Sequence, residues 1–161
     1  MGVSELSTEL WRQRELLEQL LFKFEEERLL LIAGKSRWIP NATREVEAVV
    51  ERLKLAGLSL SIAIVEVADD WGLPDNVRLR DVAAAAPTGA WSEVLSSHLR
   101  ALTGLTGEIK AIRTSNDQLL RTALRSTQET LNLVSGMPAL YGSDGSADQS
   151  ILPASLVDAS L

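Results

Sequence analysis

The sequence predicts an all-α protein, an elongated antiparallel helical bundle or coiled coil of three long helices and one short helix, followed by a flexible C-terminal tail. Three observations carry this expectation. Apolar residues return at three- and four-residue steps along three long stretches, Pro and Gly mark the joints between them, and no two segments read as strands able to pair.

The first helix is expected over about 9–34, capped by Ser7 or Thr8, with Leu10, Leu17, Leu21, Phe24 and Leu31 on one face and Gly34 as its stop. Pro40 then breaks the pattern. Asn41 is expected to cap a second helix over about 42–71, whose Val46, Val50, Leu53, Leu60, Ile64, Val67 and Trp71 form a stripe interrupted by Gly57. Within it "LSLSIAIVEV" also alternates with period two and is rich in β-branched residues. Helix is preferred there, because a lone strand leaves its backbone polar groups unpaired.

Pro74 ends that helix, and "VRLRDVAAAA" reads as a short one over about 78–86 before Pro87. The longest signal follows, over about 89–135, capped by Thr88 and stopped by Gly136. Trp91, Leu95, His98, Leu102, Leu105, Ile109, Ile112, Asn116, Leu119 and Ala123 keep a heptad rhythm, which then drifts to Leu120, Leu124, Leu131 and Val134. At 1.5 Å per residue this helix reaches roughly 70 Å, so it must pack lengthwise against the earlier two. Residues 1–135 thus form the bundle. The remainder, 136–161, holds three Asp, no Lys or Arg, and many Gly, Ser and Pro, a composition that orders poorly alone.

Bulk composition narrows the function. The 161 residues are 45% apolar and 24% charged, as in an ordinary globular domain. A net charge of -6 repels phosphate backbones, which speaks against nucleic-acid binding. Cysteine is absent, so neither disulfides nor thiolate metal sites arise. Residues 1–9 lack the regions of a signal peptide, and no run of about 18 apolar residues could cross a bilayer, so a cytoplasmic protein without membrane insertion is expected.

Little in the chain points to catalysis, a cofactor or a metal. "AGKS" at 33–36 has the end of a phosphate-binding loop, but Leu29 stands where the pattern needs Gly, and a helix precedes it where a strand is required. Glu25, Glu26 and Glu27 spread around their helix and read as a solvated face. His98, the single histidine, lies on the heptad seam and reads as a core residue. Asn116 on the same seam is expected to set helix register. Gly104 and Gly107 would mark a close helix crossing or a bend, or be neutral. Of the four tryptophans, three read as packing residues, while Trp38 with Ile39 forms a candidate contact at the bundle end.

The tail carries apolar spots separated by polar residues: Leu140 with Tyr141, Ile151 with Leu152, Leu156 with Val157, then Leu161. Such spots order on a partner or fold back on their own domain, and partner binding is the preferred reading.

The chain resembles the FlgN family of flagellar export chaperones. The resemblance lies in "LWRQRELLEQLLFKFEEERLLLIAGKSRWIPNATREVEAVVERL", "WGLPDNVRLRDVAAAAP" and "LLRTALRSTQETLNLVSG", and extends to "LYGSDG" and the terminal "SLVDASL". It implies a cytoplasmic chaperone, not an enzyme, that keeps hook-filament junction proteins from polymerising early and delivers them to the flagellar type III export apparatus. By the same resemblance Ile151, Leu152, Leu156 and Val157 are candidates for client contact and Tyr141 for docking to the export gate. The alternative is a coiled-coil adaptor or signalling protein that binds another helix, with homodimerisation along the Asn116 seam as its signature.

Overall fold

A computed structural model of the chain describes residues 2–136, and among these it contains four α-helices and one 3-10 turn, with no strand. The protein is all-α. Helix α1 spans Val3–Ile32, α2 Ile39–Asp70, α3 Leu79–Ala85 and α4 Ala90–Gly136, and the 3-10 turn Ser36–Trp38 joins α1 to α2.

The helix ends explain where the sequence reading shifts. α1 begins at Val3, ahead of the Ser7–Thr8 cap, because the Gly2 N–H donates to Glu5 Oε2 at 2.8 Å and so ties the first turn. Thr8 lies inside the helix, its hydroxyl donating to Ser4 O at 3.0 Å. Pro40 sits within the first turn of α2, where the missing N–H costs nothing, so α2 starts before Asn41. Asn41 accepts from the Arg44 guanidinium instead of capping.

Both long helices close alike. Gly34 at φ +64° lets its N–H reach Leu31 O and that of Lys35 reach Leu30 O, and Gly72 at φ +64° does the same with Asp69 O and, through Leu73, Ala68 O. This Schellman arrangement turns the Ala33, Gly34 and Lys35 amides of the "AGKS" segment back onto α1's own carbonyls. No amide cradle for a phosphate is left there.

α1 and α4 run parallel, with α2 antiparallel to both. Ser7 meets His98 near one end, and Phe24 meets Asn116 near the other. Leu6, Leu10, Ala63, Val67, Val82, Ala83 and Leu95 make one core, with α3 as its lid. Leu20, Phe24, Val46, Val49 and Ile112 make the other. α1 lies between its neighbours, since no Cα of α2 comes within 8 Å of one in α4. Much of α2's inner face is alanine: Ala42, Ala56, Ala63 and Ala68 are all buried. Small side chains let α1 and α2 approach closely, and Lys23 Nζ fastens that pair by contacts of 2.8 Å to Glu26 and Glu45.

Candidate functional site

α4 outgrows the bundle. Its seam is buried or half-buried from Leu95 to Leu119, after which every residue from Leu120 to Gly136 is exposed. These residues make about 25 Å of helix at 1.5 Å each. Leu120, Leu124, Leu131 and Val134, with Thr127 between them, continue the heptad stripe, which past Thr127 has no helix to face among the described residues. The hydroxyls of Thr122, Thr127 and Thr130 donate to the carbonyls of Gln118, Ala123 and Ser126 at 2.9–3.0 Å, so they are satisfied within the helix. The stripe is therefore apolar despite its threonines.

Where α4 passes the α1–α2 connection, Leu120, Ala123 and Leu124 face Leu30, Leu31, Ile39 and Pro40 across an open groove. Trp38 stands beside it, 47% exposed, with the Arg37 guanidinium 5.0 Å from its ring centroid. Ile39 is half-buried and lines the groove, so this predicted pair is split, one residue outward and one inward. Leu29, also exposed, lines a second hollow with Leu30, Trp38 and Ala42. A wall of aliphatic side chains with a bare helix running out of it suits an amphipathic helix laid lengthwise.

Behind this end the three long helices are tied at one level. Asn116 Nδ2 donates to Phe24 O at 2.9 Å and to Glu27 Oε2 at 3.0 Å, and Glu27 Oε1 accepts from the Thr43 hydroxyl at 3.0 Å. Glu27 thus joins α4 to α2 through α1, which corrects its reading as part of a solvated face. The Asn116 seam is also occupied within the chain, so the seam dimer that would favour the coiled-coil adaptor alternative is not open to it. Gly104 and Gly107 mark no close crossing, since a Cβ at either would meet nothing within 4 Å.

His98 is buried at the other end. Its ring meets Trp11 edge-on at 4.9 Å and lies 3.5 Å from Ser7 Oγ, while Nδ1 has no partner among the described residues. Burial pushes its pKa below the usual 6.5, and nearby Arg14 adds to the shift. The unfolded chain then binds the proton more readily than the folded one. Stability contributed by neutral His98 is present above the usual pKa and is lost as pH falls from about 6.5 towards the lower folded value. Thermal unfolding at pH 7.5 and 5.5 checks this, with His98→Gln expected to show a smaller drop between the two than the natural chain.

Tyr141, Ile151, Leu152, Leu156 and Val157 lie outside the described residues, as does the tail expected to be flexible. Among the described residues no cluster of His, Asp or Glu is placed to hold a metal ion, and no helix is long and apolar enough to cross a membrane. Sequence reasoning missed one surface, an apolar stripe of Leu55, Leu58, Ile62 and Val65 on the outer side of α2. Its signal was present as the excess of apolar residues in "LSLSIAIVEV".

Compared with known proteins, residues 1–149 match the model of a protein family described as FlgN protein. No curated protein and no solved structure matches the chain.

Proposed function

Because the chain belongs to the FlgN family, a family of flagellar export chaperones rather than enzymes, we propose that it binds hook-filament junction proteins in the cytoplasm, holds them unpolymerised and delivers them to the export gate. The observation that carries this reading is the α4 overhang. A heptad stripe that outlasts its own bundle offers a client's amphipathic terminal helix the apolar face it would otherwise seek in another client.

In this reading the client helix lies along Leu120, Leu124, Leu131 and Val134, with its end in the groove beside Trp38 and Ile39. Asn116 sets the register that keeps the stripe aligned with that groove. The tail continues from the overhang, and its Ile151, Leu152, Leu156 and Val157 add contacts that close over the bound helix. Tyr141 remains for the export gate.

Co-purification of the junction proteins with the full chain and with a chain ending at Ser135 tests this assignment. The full chain is expected to retain client and the shortened one to retain distinctly less, because it keeps the stripe but loses the tail contacts. Equal retention would remove the tail from the site. Absence of any client on the full chain would overturn the chaperone assignment in favour of a coiled-coil adaptor.

A further inference from the structure

The overhang of α4 rises from a basic floor, although the chain as a whole carries a net charge of -6. From Arg28 to Arg44, across the end of α1, the connection and the start of α2, the sequence holds Arg28, Lys35, Arg37 and Arg44 and no carboxylate. α4 does the same from Gln118 to Gln128, with Arg121 and Arg125 and no acid. The acids lie elsewhere: α1 up to Glu27 has seven Glu against three cations. Lys35, Arg37, Arg121 and Arg125 are exposed, and none is in a salt bridge within the described residues. Arg37 stacks on the Trp38 ring, and a stacked guanidinium keeps its N–H edge free for a carboxylate.

These cations gather at the base of the overhang. Lys35 lies between Gly34 and Ser36, which line the groove, and Arg121 follows Leu120 on the facing wall. At 100° per residue Arg121 stands about 60° from Leu124, on the flank of the stripe away from Ala123. Farther out the flanking residues are Gln128, Thr130, Asn132 and Ser135, all uncharged, and Glu129 lies on the back of the helix. A helix docked on the stripe therefore meets charge at its end and not along its length.

We propose that this helix stands with its C-terminal end on the basic floor, antiparallel to α4, and that its last turn carries carboxylates. The inference rests on the overhang being the docking site, and adds the polarity and charge of what docks there. The last turn of a helix leaves four carbonyls unpaired and carries about half a negative charge, which cations favour; an N-terminal end reverses the sign. Glu or Asp in that turn adds attraction for Lys35, Arg37 and Arg121, and a floor without acids turns away a basic end. Leu120 to Gly136 provide wall for about 17 residues of partner. The chain's own tail, with Asp144, Asp148 and Asp158, has the same sign, but it departs from Gly136 at the tip, the end away from the floor.

Two synthetic helices of about 17 residues test this on the full chain. They share their heptad leucines and differ only in the last turn, which holds Glu in one and Gln in the other. At low salt the Glu form should bind about tenfold tighter, and the gap should close as salt rises. Lys35→Glu with Arg121→Glu should abolish the gap at unchanged helicity, since both residues are exposed, while Arg100→Glu, exposed and nearer the start of α4, should preserve it. The chain has no cysteine, so a spin label on Ser36→Cys reports from the floor alone and should broaden the signals of the bound peptide's C-terminal residues; one on Ser135→Cys should broaden its N-terminal residues. Failure of both peptides to bind, equal binding of the two, or the opposite broadening overturns the proposal. A gap that emerges only when residues 136–161 are removed does so too, and gives the floor to the chain's own tail. Junction proteins retained without a gap between the peptides would refute the polarity alone, and a gap without retention would refute the chaperone assignment alone.

Discussion

Aspartate at both Leu124 and Leu131 is expected to weaken client binding by at least about 100-fold while leaving the bundle folded. Both side chains are exposed in the free protein, at 63% and 55%, so their replacement removes little from the core. On docking each is expected to lose its water, and burying a leucine is worth about 1.5–3 kcal/mol. A carboxylate in the same place must also be desolvated without a partner. Together these exceed the roughly 2.7 kcal/mol that a 100-fold change requires. Titration of a purified junction protein into natural and variant chains reads the difference, with circular dichroism as the check on folding. Trp91→Ala, at the opposite end of α4, should leave the affinity within about twofold, because it lies far from the groove.

Leu10→Ala is expected to destabilise the bundle by about 3 kcal/mol, within the range for a fully buried leucine. Leu10 is 0% exposed and shares its cluster with Ala63, Val67, Val82 and Leu95, from three other helices. Truncation there leaves a cavity that no single helix can collapse to fill. The urea midpoint should fall accordingly, with the slope unchanged. Leu58→Ala on the outer face of α2 should move the midpoint far less, because that side chain is 64% exposed. The contrast separates a leucine that holds the fold from one that serves a surface.

How far the sequence disclosed this arrangement depends on which side chains carried the signal. The α4 seam was legible because its large residues repeat strictly, and Leu95, His98, Ile112 and Asn116 are indeed its buried members. α2 was harder, because much of its inner face is alanine, which weighs little in a periodicity count, while its outer face is leucine, isoleucine and valine. Apolar residues on both faces of one helix mimic the alternation of a strand. The helical outcome follows from α1, which covers one of those faces along its length.

The link through Asn116, Glu27 and Thr43 could not be read from spacing. Its members lie on three helices, and their meeting depends on the level at which those helices stand. Glu27 looked like its neighbours Glu25 and Glu26 because local geometry alone gives no partner for any of them. The bare overhang was half visible: the stripe of Leu120, Leu124, Leu131 and Val134 was identified, but the lack of a covering helix past Thr127 follows from α1 ending at Ile32. The contacts assigned to Tyr141, Ile151, Leu152, Leu156 and Val157 rest on the tail's apolar pattern and the family resemblance.

The measurement that bears most directly on the central claim is backbone hydrogen exchange of the full chain, free and with a hook-filament junction protein bound. In the free chain the amides of 120–136 should exchange quickly, since a bare helix of that length is marginal without packing. Binding should slow exchange across 120–136 and leave the two cores as they were. Protection confined to 55–65 on α2, or none along the α4 overhang, would contradict the account.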